Sequence, residues 1–364
     1  MTKNPVSRRT LIKTAGIGAS ASTLGLISTP AIASGKLEWK MITSWPKGAP
    51  GVGTTAQRLA DRITHMSDGK LTVKLYAAGE LVPALEVLGA VGSGVAELGH
   101  TASFFWQGKT KASVFFTTVP FGLTPSEHMA WINHGGGQAL WDKLYAPFNV
   151  KPFMAGNSGM QMGGWFKKEI ASLDDLRGLK IRSAGLGGEI FTQMGATAVL
   201  LPPGEIFSSL RSGVVDAAEF LGPWSDRAFG FYKAAPYYYW PSFNKPNGTA
   251  ECLVNKTAYE ALSPDLQAIV INACASENAY GLSEADWENA RALEDLETGG
   301  KAKLREFPAD IIAKAKSLAP DVMNEFVQGE SLAKEILTSY QKAIGLSSGW
   351  ARVGRQAFLD ARDG

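Results

Sequence analysis

The sequence predicts an α/β protein of two lobes. Three observations carry that prediction: short apolar runs alternate with amphipathic stretches from Leu37 onward, one helix-to-strand motif occurs twice, 119 residues apart, and the chain is too long for one ordinary core. Leu37 to Ser44 reads as a strand, Thr54 to Met66 as a helix and Leu71 to Tyr76 as a second strand. Glu80 to Gly92 reads as a helix that stops at a glycine and Ala96 to Thr101 as a third strand, giving a βαβαβ start. A strand pair is expected between Lys151 and Trp165, and Ser172-Leu173-Asp174-Asp175-Leu176 is an N-capped turn leading into a strand from Leu179 to Ser183. After Ser263-Pro264-Asp265 comes an alanine-rich helix to about Glu297, long enough to brace both lobes. A second helical stretch runs from Pro308 to Ala343, ahead of a tail with Trp350 and Phe358.

The repeated motif is Val91-Gly92-Ser93-Gly94-Val95-Ala96-Glu97-Leu98, echoed by Leu210-Arg211-Ser212-Gly213-Val214-Val215-Asp216-Ala217. A helix closed by Ser-Gly before a short strand is common, so the echo alone leaves chance open. Read as two similar lobes, it makes the strand ends after Ala96 and Val215 face each other across a cleft, where open parallel sheets bind ligands. His100 and Glu219 then fall at equivalent positions. No low-complexity linker intervenes, so several strand crossovers are expected to join the lobes. The expected division is a leader at 1–33, a first lobe of 34–155 plus about 249–290, and a second lobe of 156–248 plus about 300–364, with the long helix near 264–297 spanning both.

The amino terminus reads as an export signal. Ser7-Arg8-Arg9-Thr10-Leu11-Ile12-Lys13 precedes an apolar run from Ala15 to Ile27 and an Ala31-Ile32-Ala33 site, the order of a twin-arginine leader with its cleavage point. The run is shorter than the roughly 20 residues a membrane span needs, so a periplasmic product is expected. Cleavage after Ala33 would remove four basic residues and no acid, taking the formal charge from +2 to −2. No basic cluster remains to neutralise a row of phosphates, which argues against a nucleic-acid partner. The two cysteines, Cys252 and Cys274, permit one disulfide that their spacing does not imply.

Several chemistries find no support. Gly51-Val52-Gly53-Thr54-Thr55-Ala56 superficially matches a dinucleotide fingerprint, but Pro46 and Pro50 stiffen the turn and Tyr76-Ala77-Ala78 stands where an acid is needed. His65, His100, His128 and His134 show no zinc spacing, and Gly156-Asn157-Ser158-Gly159 is not a nucleophile elbow. What stands out is a set of polar residues in apolar strands: Gln161 in Met-Gln-Met, Arg182 in Leu-Lys-Ile-Arg-Ser, and Glu219 after Asp-Ala-Ala. Such groups are costly to bury unpaired. Each alone reads as a satisfied structural group, whereas three at neighbouring strand ends of one lobe read as a pocket.

Leu179-Lys180-Ile181-Arg182, Met194-Gly195-Ala196, Leu201-Pro202-Pro203-Gly204-Glu205-Ile206 and Leu210 through Glu219 resemble the extracytoplasmic solute receptors of tripartite ATP-independent periplasmic (TRAP) transporters, over nearly the whole mature chain. Within that family the chain looks most like the branch that binds 2-oxo and 2-hydroxy monocarboxylates with a metal cation. The resemblance implies a two-lobed periplasmic binding-protein fold and a membrane permease as partner. It implies that Arg182 clamps the carboxylate, that Gln161, Glu219, the Phe220 carbonyl and Glu251 hold the cation, and that Thr101, Phe105, Asn157 and Trp224 join Gln161 around the ligand. Trp45, Phe104 and Trp106 are expected in the apolar walls, although Phe104 and Phe105 lack hydroxyls that relatives often carry there. Oxygen donors suit Ca²⁺ or Na⁺. Counting Glu219, Glu251, a ligand carboxylate and Arg182 favours Ca²⁺ if Glu251 faces the ion, and leaves Na⁺ as good if it does not. Pairing of two copies through the C-terminal helices is left open. The rival reading is an exported metal-dependent lyase or hydrolase with Glu219 as base, for which the sequence offers only His100 as partner.

Overall fold

The computed structural model describes residues 36–364; the expected leader lies outside them. Two mixed sheets form. The strands, in chain order, are β1 (Leu37–Thr43), β2 (Leu71–Tyr76), β3 (Leu98–Thr101), β4 (Val150–Asn157), β5 (Gly164–Phe166), β6 (Lys180–Arg182), β7 (Thr197–Val199), β8 (Ala217–Ala218), β9 (Tyr237–Trp240), β10 (Thr249–Asn255) and β11 (Lys303–Glu306). The first sheet has the order β2-β1-β3-β10-β4 and the second β11-β9-β5-β8-β6-β7. In the first, β1 runs parallel to β2 and β3, while β10 runs antiparallel to β3 and β4. The chain therefore leaves the first sheet after β4, returns to it at β10, and rejoins the second at β11, so three crossovers link the lobes.

The echoed motif is a true structural repeat. Gly94 and Gly213 both adopt left-handed φ, +80° and +84°, where a side chain would be strained. Beyond them β3 pairs with β1 and β8 with β6, both parallel. The acids match as well: Glu97 Oε2 accepts the Lys40 backbone N–H at 2.8 Å, and Asp216 Oδ2 accepts that of Lys180 at 3.1 Å.

The brace is a 35-residue helix, Pro264–Thr298, packed against β4, helix Val52–Met66 and helix Pro223–Phe229. Proline at its start uses a position where no amide partner is needed. Ion pairs fasten it to both lobes: Arg58 Nη2 lies 2.8 Å from Glu277 and 2.7 Å from Glu284, and Arg227 Nη1 lies 2.7 Å from Asp295. Removing one partner should cost little at the exposed Arg227 pair and more at buried Glu277, where the remaining charge would be left uncompensated.

Three expectations change in detail. The helix expected from Glu80 begins only at Val87, because Pro83 disfavours helical backbone before it. The stretch from Pro308 splits into Ala309–Phe326 and Ser331–Ala351, broken at Gly329, whose φ is +85°. The second of these helices packs on Pro125–His134 and Gly137–Tyr145 in the first lobe, although residues beyond 300 were expected in the second. Cys252 and Cys274 are both buried free thiols. Among the described residues no helix is long and apolar enough to cross a membrane.

Candidate functional site

Strand β6 is too short to be more than a positioning device. Its Ile181 fills the core, Lys180 is exposed, and Arg182 is fully buried beside the end of β8. Two alanines form β8, and the backbone continues so that Glu219 N–H donates to the Arg182 carbonyl at 3.0 Å. The Arg182 Nη1 donates to the Glu219 carbonyl at 2.7 Å and to Oε1 at 3.2 Å, while Nε and Nη2 share the Leu201 carbonyl at 3.3 Å. The guanidinium carbon stands 5.5 Å from the centre of the Phe220 ring. A second cation completes the group. Lys245 Nζ lies 2.7 Å from Glu219 Oε2 and donates to the Phe220 carbonyl, with the Phe104 ring centre 5.2 Å away.

These three charges are fully or almost fully buried, with Lys245 only 1% exposed. Burial lowers the affinity of Arg182 and Lys245 for their protons, and Glu219 opposes that shift in both. Asp226 is the next charge. Its oxygens accept from Trp165 Nε1 at 3.0 Å, the Tyr238 hydroxyl at 2.9 Å and the Leu221 amide at 3.1 Å, while burial pushes its pKa up to about 6.

A narrow cavity adjoins the charges and draws on both lobes: Trp45, Phe104 and Thr117 from the first, Phe220 from the second, and Gln161, Lys245 and Gly248 from the crossovers. The lobes are closed on it. Gln161 Nε2 donates to Ser158 Oγ at 2.6 Å, and its buried Oε1 has no partner. Gly248 permits this arrangement, because a Cβ there would fall 1.8 Å from Ser158 Oγ and 2.1 Å from Gln161 Nε2. The two crossovers that join the sheets thus also furnish the cavity.

The remaining sequence-predicted residues separate into groups. Arg182, Glu219, Phe220 and Gln161 come together at the cavity or directly behind it. Asn157 is buried nearby in a network: its Nδ2 donates to Asn247 Oδ1 at 3.0 Å and Thr249 Oγ1 at 3.1 Å, and Thr249 meets His128 Nδ1 at 3.1 Å. Thr101 is occupied by the Ser44 hydroxyl at 2.7 Å, and Phe105 packs among Trp45, Phe104 and Trp106. Trp224 is half-buried on helix Pro223–Phe229, outside the cavity lining. Glu251 turns away: its carboxyl accepts from Ser103 Oγ and Trp106 Nε1, both at 2.6 Å, and burial raises its pKa to about 7. His100 accepts from Trp45 Nε1 at 2.8 Å and its other nitrogen meets the Ala155 carbonyl at 3.0 Å, so neither nitrogen is free. Lys245 is the residue that sequence reasoning missed, since Phe243-Asn244-Lys245-Pro246-Asn247-Gly248 reads as an exposed turn.

A closed cavity between two crossed-over sheets, with buried cations at its wall, is the architecture of a binding protein. The bacterial extracellular solute-binding protein family 7 model matches residues 42–330. This chain belongs to that family. As a family 7 member it is similar over 360 residues, at 39% identity, to the monocarboxylate 2-oxoacid-binding periplasmic protein of Nostoc, covering 97% of this chain and 98% of that relative. Among solved structures it resembles a TRAP transporter solute-binding protein of Bordetella bronchiseptica, a mixed-occupancy dimer with copurified calcium and picolinate (36% identity, TM-score 0.87, 90% and 97% of the two chains). It also resembles a TRAP periplasmic solute-binding protein of Pseudoalteromonas atlantica with bound sodium and pyruvate (34% identity, TM-score 0.87, 90% and 99%). Calcium and sodium are therefore both held beside small carboxylates within this family.

Proposed function

We propose that this chain is the periplasmic receptor of a TRAP transporter, that it captures a small 2-oxo or 2-hydroxy monocarboxylate of pyruvate or lactate size, and that it hands the acid to a membrane permease. The observation that carries this reading is the excess of positive charge at a closed cavity: Arg182 and Lys245 face a single contacting carboxylate, Glu219. One ligand carboxylate balances the three. In this reading Arg182 exchanges its long contacts to the Leu201 carbonyl for the ligand, and Gln161 orients the acid from the opposite side. Closure of the lobes excludes water, strengthens the ionic contacts and presents the closed form to the permease.

Binding without turnover is the finer part of the proposal. Glu219 is held between two cations and both His100 nitrogens are engaged, which supports binding over the acid–base chemistry that the enzyme reading needs. Calorimetry with pyruvate is expected to give one saturable site, with pyruvate recovered unchanged after prolonged incubation. A new product would overturn the receptor reading in favour of a lyase or hydrolase. Delivery by the twin-arginine leader belongs to the same proposal, and its test is substitution of Arg8 and Arg9 by lysine, which should hold the precursor in the cytoplasm.

Leu346, Trp350 and Val353 lie four and three residues apart and are exposed, as is Phe358. This apolar stripe is the face we assign to pairing with a second copy. Sedimentation should give the mass of two chains, and the mass of one chain would remove the assignment.

A further inference from the structure

Family resemblance implies a metal ion on the oxygens of Gln161, Glu219 and Phe220. Gln161 Oε1 is buried without a partner, but in this chain an ammonium stands on the other two. Lys245 Nζ lies 2.7 Å from Glu219 Oε2 and donates to the Phe220 carbonyl. A hard cation held by the same two oxygens would have to sit close to Nζ and compete with it for them. Like charges that close in a poorly solvated site repel strongly. The further oxygen ligand that the resemblance implies, Glu251, is turned to Ser103 and Trp106 instead. Oxygen donors remain, but the Lys245 ammonium among them and the turned Glu251 do not fit a resident ion.

We propose that Lys245 is the tethered cation of this receptor, replacing the metal ion and donating directly to the carboxylate or 2-oxo oxygen of the ligand. This rests on the carboxylate-receptor reading above. The chemistry is complete without an ion. An ammonium has three N–H donors; one serves the Phe220 carbonyl, the charge pairs with Glu219, and a donor remains for an oxygen in the cavity that Lys245 lines. Among the groups in mutual contact, Glu219 carries −1 and Arg182 and Lys245 carry +2 together, so one monocarboxylate brings the sum to zero. A divalent ion would take it to +2. Asp226, the next charge, acts on both cations without forming an ion pair with either, its carboxyl accepting from Trp165, Tyr238 and the Leu221 amide. A tethered charge also frees capture from the supply of calcium or sodium outside the cell.

Titration of the full mature chain with pyruvate in a sodium-free buffer, with and without a chelator, tests the proposal. Affinity should agree within about twofold between the two and on adding calcium or sodium, and elemental analysis of the dialysed protein should find no stoichiometric metal. Lys245→Met should weaken metal-free binding by more than ~100-fold, with calcium restoring part of the loss. Binding that needs added metal, one metal per dialysed chain, or a Lys245→Met variant that binds like the native protein without metal would each overturn it. Absence of pyruvate binding under every condition would instead sink the carboxylate-receptor reading, and this inference with it. The native-protein measurements stand whether or not the variant folds.

Discussion

The two copies of the helix-to-strand motif share a backbone and differ in chemistry. In the first lobe the equivalent positions are Ile42 on β1, opposite Gly99, and His100 at the end of β3; in the second they are Arg182 on β6, opposite Ala218, and Glu219 just beyond β8. Both copies keep the left-handed glycine and the acid that accepts the neighbouring strand's amide. The first copy fills its strand ends with an apolar side chain and a neutral imidazole, whose pKa burial lowers to about 4. The second fills them with an ion pair, joined by Lys245. The fold thus builds a strand-end platform twice and places charge on one of them, leaving the other to supply apolar wall such as Trp45 and Phe104.

If that division is right, charge removal in the second lobe should cost far more binding than any change in the first. The largest effect is expected for Arg182→Ala. Removing one member of a buried, hydrogen-bonded charge group should weaken pyruvate binding by more than ~100-fold, and calorimetry that returned native affinity would break the comparison. A smaller effect separates the two buried glutamates. Glu219 has two cations, whereas Glu251 has neutral donors and a pKa raised to about 7. A carboxyl raised in the folded state contributes stability below its unfolded value near 4.5 and loses it as pH rises through the folded one. Native stability minus that of Glu251→Gln should therefore fall by at most about 3 kcal/mol between pH 4.5 and 7 and level off above. Parallel denaturation profiles for the two proteins would show that Glu251 does not titrate as its burial requires.

Legibility of the sequence followed periodicity and its limits. Strands β1 and β2 were readable from their alternation, and the long brace from its capped, alanine-rich run. Arg182 and Glu219 were readable because a charge inside an apolar strand must find a partner. The same reasoning misplaced Glu251. Every residue of β10 is buried, so both faces of that strand are interior and alternation cannot tell which one meets the cavity. Lys245 left no local signal at all. It sits in a proline- and glycine-bearing crossover that becomes interior only when the two sheets meet, a property of the assembled fold rather than of its neighbours in the chain.

The most direct test of the central claim is a crystal structure of the mature protein grown with pyruvate and a chelator. The account predicts the acid between the sheets, its oxygens within hydrogen-bonding distance of the Arg182 guanidinium and Lys245 Nζ. Pyruvate bound elsewhere, or held without contact to either cation, would contradict it.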